Sequence, residues 1–444
     1  MILTPLSRPV ELKPSNHFAN KVGLGDRAAH EWYRFVLSFP PHLVREYLRR
    51  FDVGKKQLVL DPFCGTGTTL VECKKFGVPS VGIESHPMSW FASQTKLDWE
   101  ADPDALMAHA TSLGIAARKQ LSRQGIADGD FTLARSVDGL RSLPPEAMEL
   151  LLTDSICPIP LHKALVLLDQ IKSDQENAFQ GHELLALASA LVNSISNLHF
   201  GPEVGVSFPK GDAAVIDPWL ENISRMQADL KLLRNLKTAS VSTTAIHADS
   251  RQLNHVLPPN SVDAVITSPP YPNEKDYTRT TRLESVLLGF IRNKTELKQV
   301  KKGLIRSNTR NIYKEDSDDL WVRENARVQQ IADAIEARRL ELGKTSGFEK
   351  NYAKVTKQYF GGMARHLQEM TSVLRPGAQL AYVVGDQASY LRVMIHTGQI
   401  LAEIAEEIGY EVLGIDLFRT RISTATKAQL REEVVVLRWP KNSQ

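Results

Sequence analysis

The sequence predicts an α/β protein built on a doubly wound, mostly parallel seven-stranded sheet with helical insertions. Three observations predict it. Short apolar runs alternate with segments of helical period in both halves of the chain; a turn with two glycines, Gly65 and Gly67, follows the first apolar run; and a later apolar run ends in Thr267-Ser268-Pro269-Pro270-Tyr271.

The elements follow in order. An irregular stretch reaches Asn20, then His30-Glu31-Trp32-Tyr33-Arg34-Phe35 and Ser38-Phe39-Pro40-Pro41-His42-Leu43-Val44 lead into a helix ending near Arg50. Residues 57–60 read as the first strand, 68–76 as a helix, 80–83 as a second strand ending at Glu84, and 87–98 as a helix. From 101 to 239 helical periodicity dominates, most clearly at 161–171, 182–198 and 219–236, so this region reads as a helical insertion. Alternation resumes with strands at 245–250 and 261–266, followed by a helix at 281–290. A second insertion, 291–348, carries Arg292, Lys294, Lys298, Lys301, Lys302, Arg306 and Arg310 before it turns acidic; these cations are either a DNA contact or a solvated helix face. A helix over 351–374 is stopped by Arg375-Pro376-Gly377, then come a strand at 379–384, a helix at 393–408, and a final strand pair at 411–418 and 433–439.

Composition narrows the class. With 444 residues, 42% hydrophobic and 24% charged, the chain can bury a large core. Lys+Arg 54 against Asp+Glu 51 gives +3, so total charge does not announce a nucleic-acid partner. The apolar stretch 184–192 is broken by Ser189 and ends at Asn193, too short for a bilayer, and Met1-Ile2-Leu3-Thr4 begins no signal peptide; the expectation is a cytoplasmic protein with no membrane partner. Three separated cysteines, Cys64, Cys73 and Cys157, fit reduced thiols and no metal site.

The two loops carry the chemistry. Glycine accepts φ > 0 and has no Cβ, so the Gly65-Thr66-Gly67 turn lets backbone amides approach a small ligand. In Ser268-Pro269-Pro270-Tyr271 the prolines fix φ and remove their own donors, leaving a stiff backbone whose carbonyls can accept from an exocyclic amine, while Tyr271 offers a flat face for a base. Asp61-Pro62-Phe63-Cys64-Gly65-Thr66-Gly67, with Glu84 one strand later and the Thr267 to Tyr271 loop, resembles the bacterial S-adenosylmethionine-dependent DNA amino-methyltransferases of the N4-cytosine/N6-adenine family, TSPPY type. The resemblance covers most of the chain apart from the insertions and implies the class I Rossmann-like methyltransferase fold.

It further implies that S-adenosylmethionine lies among Asp61, Phe63, Cys64, Gly65, Thr66, Gly67, Thr68 and Thr69, with Cys64 a small packed residue and no nucleophile. Glu84, with Ser85 beside it, would hold the ribose hydroxyls; Asp249, with Ser250, would meet the adenine amino group, or else Asp249 caps the helix after it; Phe39 and Pro40 would cover the methionine end. On this resemblance residues 1–100 are a covering segment and the first half of the core, 101–240 a helical insertion for DNA recognition, 241–290 core with the catalytic loop, 291–350 a basic insertion for DNA contact, and 351–444 the rest of the core.

Ser268, Pro269, Pro270 and Tyr271 would be the catalytic residues. The lone pair of an exocyclic amine is delocalised into its ring, so the loop must draw the nitrogen toward sp³ geometry through hydrogen bonds that strengthen in the transition state. Adenine-N6 enzymes of this kind usually carry Asp or Asn where this loop has Ser268, and Ser is the usual residue in cytosine-N4 enzymes, so the resemblance favours cytosine N4, with adenine N6 as the alternative and an RNA exocyclic amine as a further one. The expected partner is double-stranded DNA opened by base flipping. A cognate restriction nuclease or defence-system proteins are further candidates, in restriction-modification, phage defence or epigenetic marking.

Overall fold

The computed structural model describes residues 22–34, 38–129, 139–174, 176–200, 203–273, 275–422 and 429–441. The expectations for residues 1–20 and for Phe35 lie outside the described residues.

Seven strands form one sheet: β1 (Val59–Asp61), β2 (Ser80–Glu84), β3 (Thr243–His247), β4 (Val262–Thr267), β5 (Leu374–Gly385), β6 (Glu411–Ile422) and β7 (Gln429–Arg438). Their order is β3-β2-β1-β4-β5-β7-β6, and all pairs are parallel except those made by β7, which runs antiparallel between β5 and β6. The direction of winding reverses between β1 and β4, and a doubly wound sheet opens its ligand crevice at the carboxyl ends of such a pair. The register Leu60↔Val265 brings Asp61 and Thr267 to that same edge. This is the class I Rossmann-like arrangement expected from the sequence.

Alternate strand residues face opposite ways. Val265, Leu380 and Val435 pack in the cluster that holds the helices α10 (Tyr352–Val373) and α11 (Thr397–Ile408). Ala264, Ile266, Ala381, Val383 and Val434 pack with Leu43, Val44 and Tyr47 of α1 (Pro41–Arg50). Both α1 and α3 (Pro87–Leu97) begin with proline, whose missing N–H costs nothing at a helix start, while α2 (Thr68–Phe76) ends at Gly77, φ 75°.

The first insertion holds α4 (Pro103–Arg123), α5 (Pro158–Lys172), α6 (Gln180–Ala190) and α7 (Ile216–Leu233). Asp102 caps α4 by accepting from the Asp104 and Ala105 amides. Leu106, Ala117, Leu167, Leu187 and Trp219 share one core with Met88, Ala92 and Trp99, so the insertion is fused to the α3 side of the sheet. The second contains α8 (Lys294–Gly303) and α9 (Ala326–Glu341).

Four expectations shift. The segment 182–198 does not stay helical: α6 gives way to a π-type turn, Leu191–Ile195, where Asn193 Nδ2 bonds back to Ser189 O at 3.0 Å, and an antiparallel hairpin follows, Leu198–Phe200 with Val204–Val206. The third strand lies at 243–247, so Asp249 and Ser250 follow it. Arg375-Pro376-Gly377 lies beyond the end of α10, yet β5 begins already at Leu374; Gly377 adopts φ 88° and its amide bonds Trp439 O at 2.8 Å. And α11 starts at Thr397, not 393, because Gln387 and Ile395 form an antiparallel bridge around Leu391 and Arg392, both at positive φ.

Among the described residues no helix is long and apolar enough to cross a membrane, no group of His, Cys, Asp and Glu could hold a metal ion, and the three cysteines are free and buried.

Candidate active site

The glycine turn is held from beneath. Asp61, at the end of β1, is fully buried; its Oδ1 accepts from Thr267 Oγ1 at 2.6 Å and from the Phe63 amide at 3.1 Å, and its Oδ2 has no partner among the described residues. Burial pushes its carboxyl up to about 6 against the pull of these bonds. Gly65 and Gly67 stand at φ 52° and 86°, the left-handed region that glycine enters without strain. A Cβ on Gly67 would press to 3.1 Å from Ser93 Oγ, whereas a Cβ on Gly65 would meet nothing within 4 Å among the described residues. The open side of the turn is therefore at Gly65.

Glu84, at the end of β2, accepts from the Gly65 amide at 2.8 Å and the His86 amide at 2.7 Å, and burial raises it to about 7 despite those donors. Burial also lifts the Cys64 thiol well above its usual range, so it stays protonated and packs, as expected of a non-nucleophile. A Cβ on Gly82 would come 2.7 Å from its Sγ, so Gly82 makes the room it occupies.

The Pro-Pro loop abuts this turn. Besides Thr267 on Asp61, Thr69 Oγ1 donates to Ile266 O at 3.1 Å, so the two loops are bonded to each other at both ends of the contact. Ser268 Oγ donates to Val383 O at 3.1 Å, and the Tyr271 amide donates to Tyr277 Oη at 3.2 Å. The Tyr271 ring lies close to the end of β5, where a Cβ on Gly385 would meet its Cε2 at 3.2 Å.

One cavity of about 230 Å³ joins the two loops. Of the residues singled out from the sequence, Phe39, Phe63, Cys64, Gly65, Thr66, Thr68, Glu84, Ser85, Ser250, Ser268, Pro269, Pro270 and Tyr271 line it. Asp61, Gly67 and Thr69 are not on its wall and brace it from behind. Pro40 is also off the wall, at the N-cap of α1. Asp249 is bound elsewhere: its carboxylate takes Arg251 Nε at 3.0 Å and Nη2 at 2.7 Å, and Arg251 also reaches Asp318 at 2.6 Å. The Arg251 amide bonds Asp249 Oδ1 at 2.9 Å, a local turn rather than a ligand contact.

The basic run of the second insertion is largely paired with acids of the same chain, in the interior at Lys301 and Arg306 and at the surface elsewhere. Lys301 is buried against Asp276 at 2.9 Å, and Arg306 is buried against Asp316 at 2.8 Å and the Lys301 carbonyl at 2.9 Å, so neither is available to a phosphate. Lys302 and Lys298 share Glu315, Arg292 pairs with Glu296, Lys294 with Glu149, and Arg310 lies over the Phe348 ring.

Sequence reasoning missed Tyr277, Phe418, Arg419 and Glu432, all on the cavity wall. Tyr277 stands six residues beyond Tyr271, within reach of a local reading; the other three arrive through the β6–β7 pairing, which no local motif announces.

Comparison with known proteins finds similar methyltransferases. A model of the N6/N4 methyltransferase family, described as DNA methylase, matches residues 14–89, which include the glycine turn and Glu84. The Type II methyltransferase M.BsoBI of Geobacillus stearothermophilus is 25% identical over 440 residues, 93% of this chain and 84% of its own. The Type II methyltransferase M.AvaI of Anabaena variabilis is 25% identical over 451 residues, 93% of this chain and 86% of its own. The solved structure of TrmN from Thermus thermophilus aligns over 90% of this chain and 48% of that one, at 12% identity and a TM-score of 0.26, too loose to bear on fold or function. The family match over the glycine turn and the alignments over nearly the whole chain show that the protein is similar to the N4/N6 family of bacterial DNA amino-methyltransferases.

Proposed function

We propose that the protein is a site-specific DNA methyltransferase that carries a methyl group from S-adenosylmethionine to the exocyclic N4 of a cytosine flipped out of double-stranded DNA. The observation that supports this reading is the single cavity shared by the Gly65 turn and the Ser268 to Tyr271 loop. The residues fit S-adenosylmethionine: the open face of Gly65 leaves a cradle, Glu84 presents a carboxylate for a ribose diol, Phe39 and Phe63 supply apolar walls, and Asp61 keeps a buried oxygen without a partner among the described residues. When bound, S-adenosylmethionine supplies an electrophilic methyl group on a positively charged sulfur that leaves readily.

The chain's own residues do the rest. The Ser268 hydroxyl hydrogen is spent on Val383 O, so its oxygen presents lone pairs to an amine N–H and draws the nitrogen toward sp³ geometry. Tyr271 holds the ring face, and the tie between Thr267 and Asp61 fixes the distance between the two loops, which supports in-line placement. The helical insertions supply the DNA contacts that offset the few kcal/mol of base opening. The Type II character of the relatives supports a place in restriction-modification. Transfer of labelled methyl into DNA by the purified protein tests the reading; label found only in RNA, or in neither, contradicts it.

The cofactor site has a pH signature. Glu84 must be ionised to accept from both ribose hydroxyls, and with its carboxyl raised to about 7 it is largely protonated in the free protein at pH 6. S-adenosylmethionine should therefore bind more tightly as pH rises through about 7, and calorimetry should show proton release there. Glu84→Gln should weaken binding by about 1 kcal/mol at pH 8 and flatten the pH dependence. A wild-type affinity that does not change between pH 6 and 8 removes Glu84 from the ribose.

A further inference from the structure

A regular strand turns consecutive side chains to opposite faces. Phe418 and Arg419 are consecutive, yet both line the cavity, and the β6–β7 register breaks between Leu417 and Arg419. A bulge of this kind re-aims a side chain, and such bulges gather beside active sites. Opposite Arg419 in the register stands Glu432, which takes its Nε at 2.5 Å and its Nη2 at 2.8 Å. Glu432 in turn lies by the catalytic loop, since a Cβ on Gly385 would meet Glu432 Cγ at 3.3 Å and the Tyr271 ring at 3.2 Å.

A guanidinium carries five N–H donors in a fixed fork. Glu432 occupies one edge of the fork, and among the described residues Nη1 of Arg419 meets no acceptor. The neighbouring Arg421 shares Glu432, its Nε 3.5 Å from Oε1, but its Nη2 is committed to Asp386 O at 3.3 Å and Gln387 Oε1 at 3.4 Å. Arg419 therefore presents an unshared edge of two donors to the cavity that holds Ser268.

Cytosine places two acceptors, N3 and O2, in line beside its N4 amine. On the same Watson–Crick edge adenine offers only N1 beside its N6 amine, followed by a C–H. We propose that Arg419, locked in orientation by Glu432, is the base-selecting residue of the pocket, donating its free edge to N3 and O2 of the flipped cytosine. This rests on the cytosine reading above and gives it a cause other than Ser268. A site built to donate to two acceptors rejects a base that leaves one donor unmet.

The test uses the full-length protein, labelled S-adenosylmethionine and unmethylated genomic DNA, with labelled nucleosides counted by mass spectrometry. Wild type should yield N4-methylcytosine. Arg419→Met should slow that transfer by about 10- to 100-fold with unchanged cofactor affinity, and should lower the ratio of N4-methylcytosine to N6-methyladenine, which a purely structural role would not move. Arg419→Lys keeps the charge and the pair with Glu432 but lacks the fork; it should show the same loss of ratio, and serves if Arg419→Met does not fold. Wild-type N4-methylcytosine with an unaltered ratio in the folded variants overturns the role of Arg419. N6-methyladenine from wild type instead overturns the cytosine reading beneath it.

Discussion

Glu72→Ala should destabilise the protein by about 3 to 5 kcal/mol, the cost of breaking the ion pair and hydrogen bonds made by a buried carboxylate. Glu72 is fully buried on α2 and receives His30 Nε2 at 2.8 Å, Arg45 Nη1 at 2.5 Å and Lys75 Nζ at 3.4 Å. It thereby fastens the segment before α1, and α1 itself, to the first helix after the glycine turn. Because Ser38 and Phe39 of that segment line the cavity, the variant should also weaken S-adenosylmethionine binding, whereas a surface change of equal charge should not. Urea unfolding with a matched Glu46→Ala control measures the first effect, and calorimetry the second. A loss under 1 kcal/mol would show that the segment docks without this anchor.

The same residue sets a pH dependence. Burial alone would raise the Glu72 carboxyl, but the His30 hydrogen bond and the charges around it outweigh burial and hold it at about 2, below its usual 4.5. A folded-state pKa below the unfolded one gives stability that is complete above about 4.5 and is lost as pH falls toward 2. His30 adds to this slope. Burial lowers it to about 4 from 6.5, so folding is increasingly opposed as pH drops through that interval. Stability should therefore rise with pH from about 2 to 6.5 at this cluster, and the acid limb should be shallower in Glu72→Ala.

The second large effect falls on the chemistry. Tyr271→Ala should remove base stacking worth up to about 3 kcal/mol and slow methyl transfer by roughly 100-fold. Cofactor affinity should hold, because Asp61, Gly65 and Glu84 keep their bonds without the ring. Tyr271→Phe should retain most of the rate, since the role assigned to the residue is its flat face. Equal rates for wild type and Tyr271→Ala would remove stacking from the mechanism.

What the sequence made legible was local. Gly65 and Gly67 needed positive φ within a few residues of a strand end, and Pro269-Pro270-Tyr271 fixed its own backbone, so both loops could be placed before any tertiary contact was known. Glu84 followed from its position one strand later. The helix at 68–76 and the strand at 80–84 came close to their predicted bounds because glycine and proline punctuate them.

What stayed hidden depends on partners far along the chain. The cations at 292–306 read as either a DNA contact or a solvated helix face, and their counter-charges at Glu149, Asp276 and Glu315 come from other elements. Asp249 looked ready for an adenine amine until Arg251 and its link to Asp318 accounted for the carboxylate. Arg419 and Glu432 meet only through an antiparallel register with a bulge in it. The hairpin after α6 was lost in a run whose apolar spacing suits a helix, which ends where Asn193 turns its side chain back onto the backbone.

The central claim is the base. Incubating the protein with unmethylated DNA and isotope-labelled S-adenosylmethionine, then digesting the DNA to nucleosides for mass spectrometry, should return the label in N4-methylcytosine; label in N6-methyladenine alone would contradict the assignment of the Ser268 pocket to cytosine.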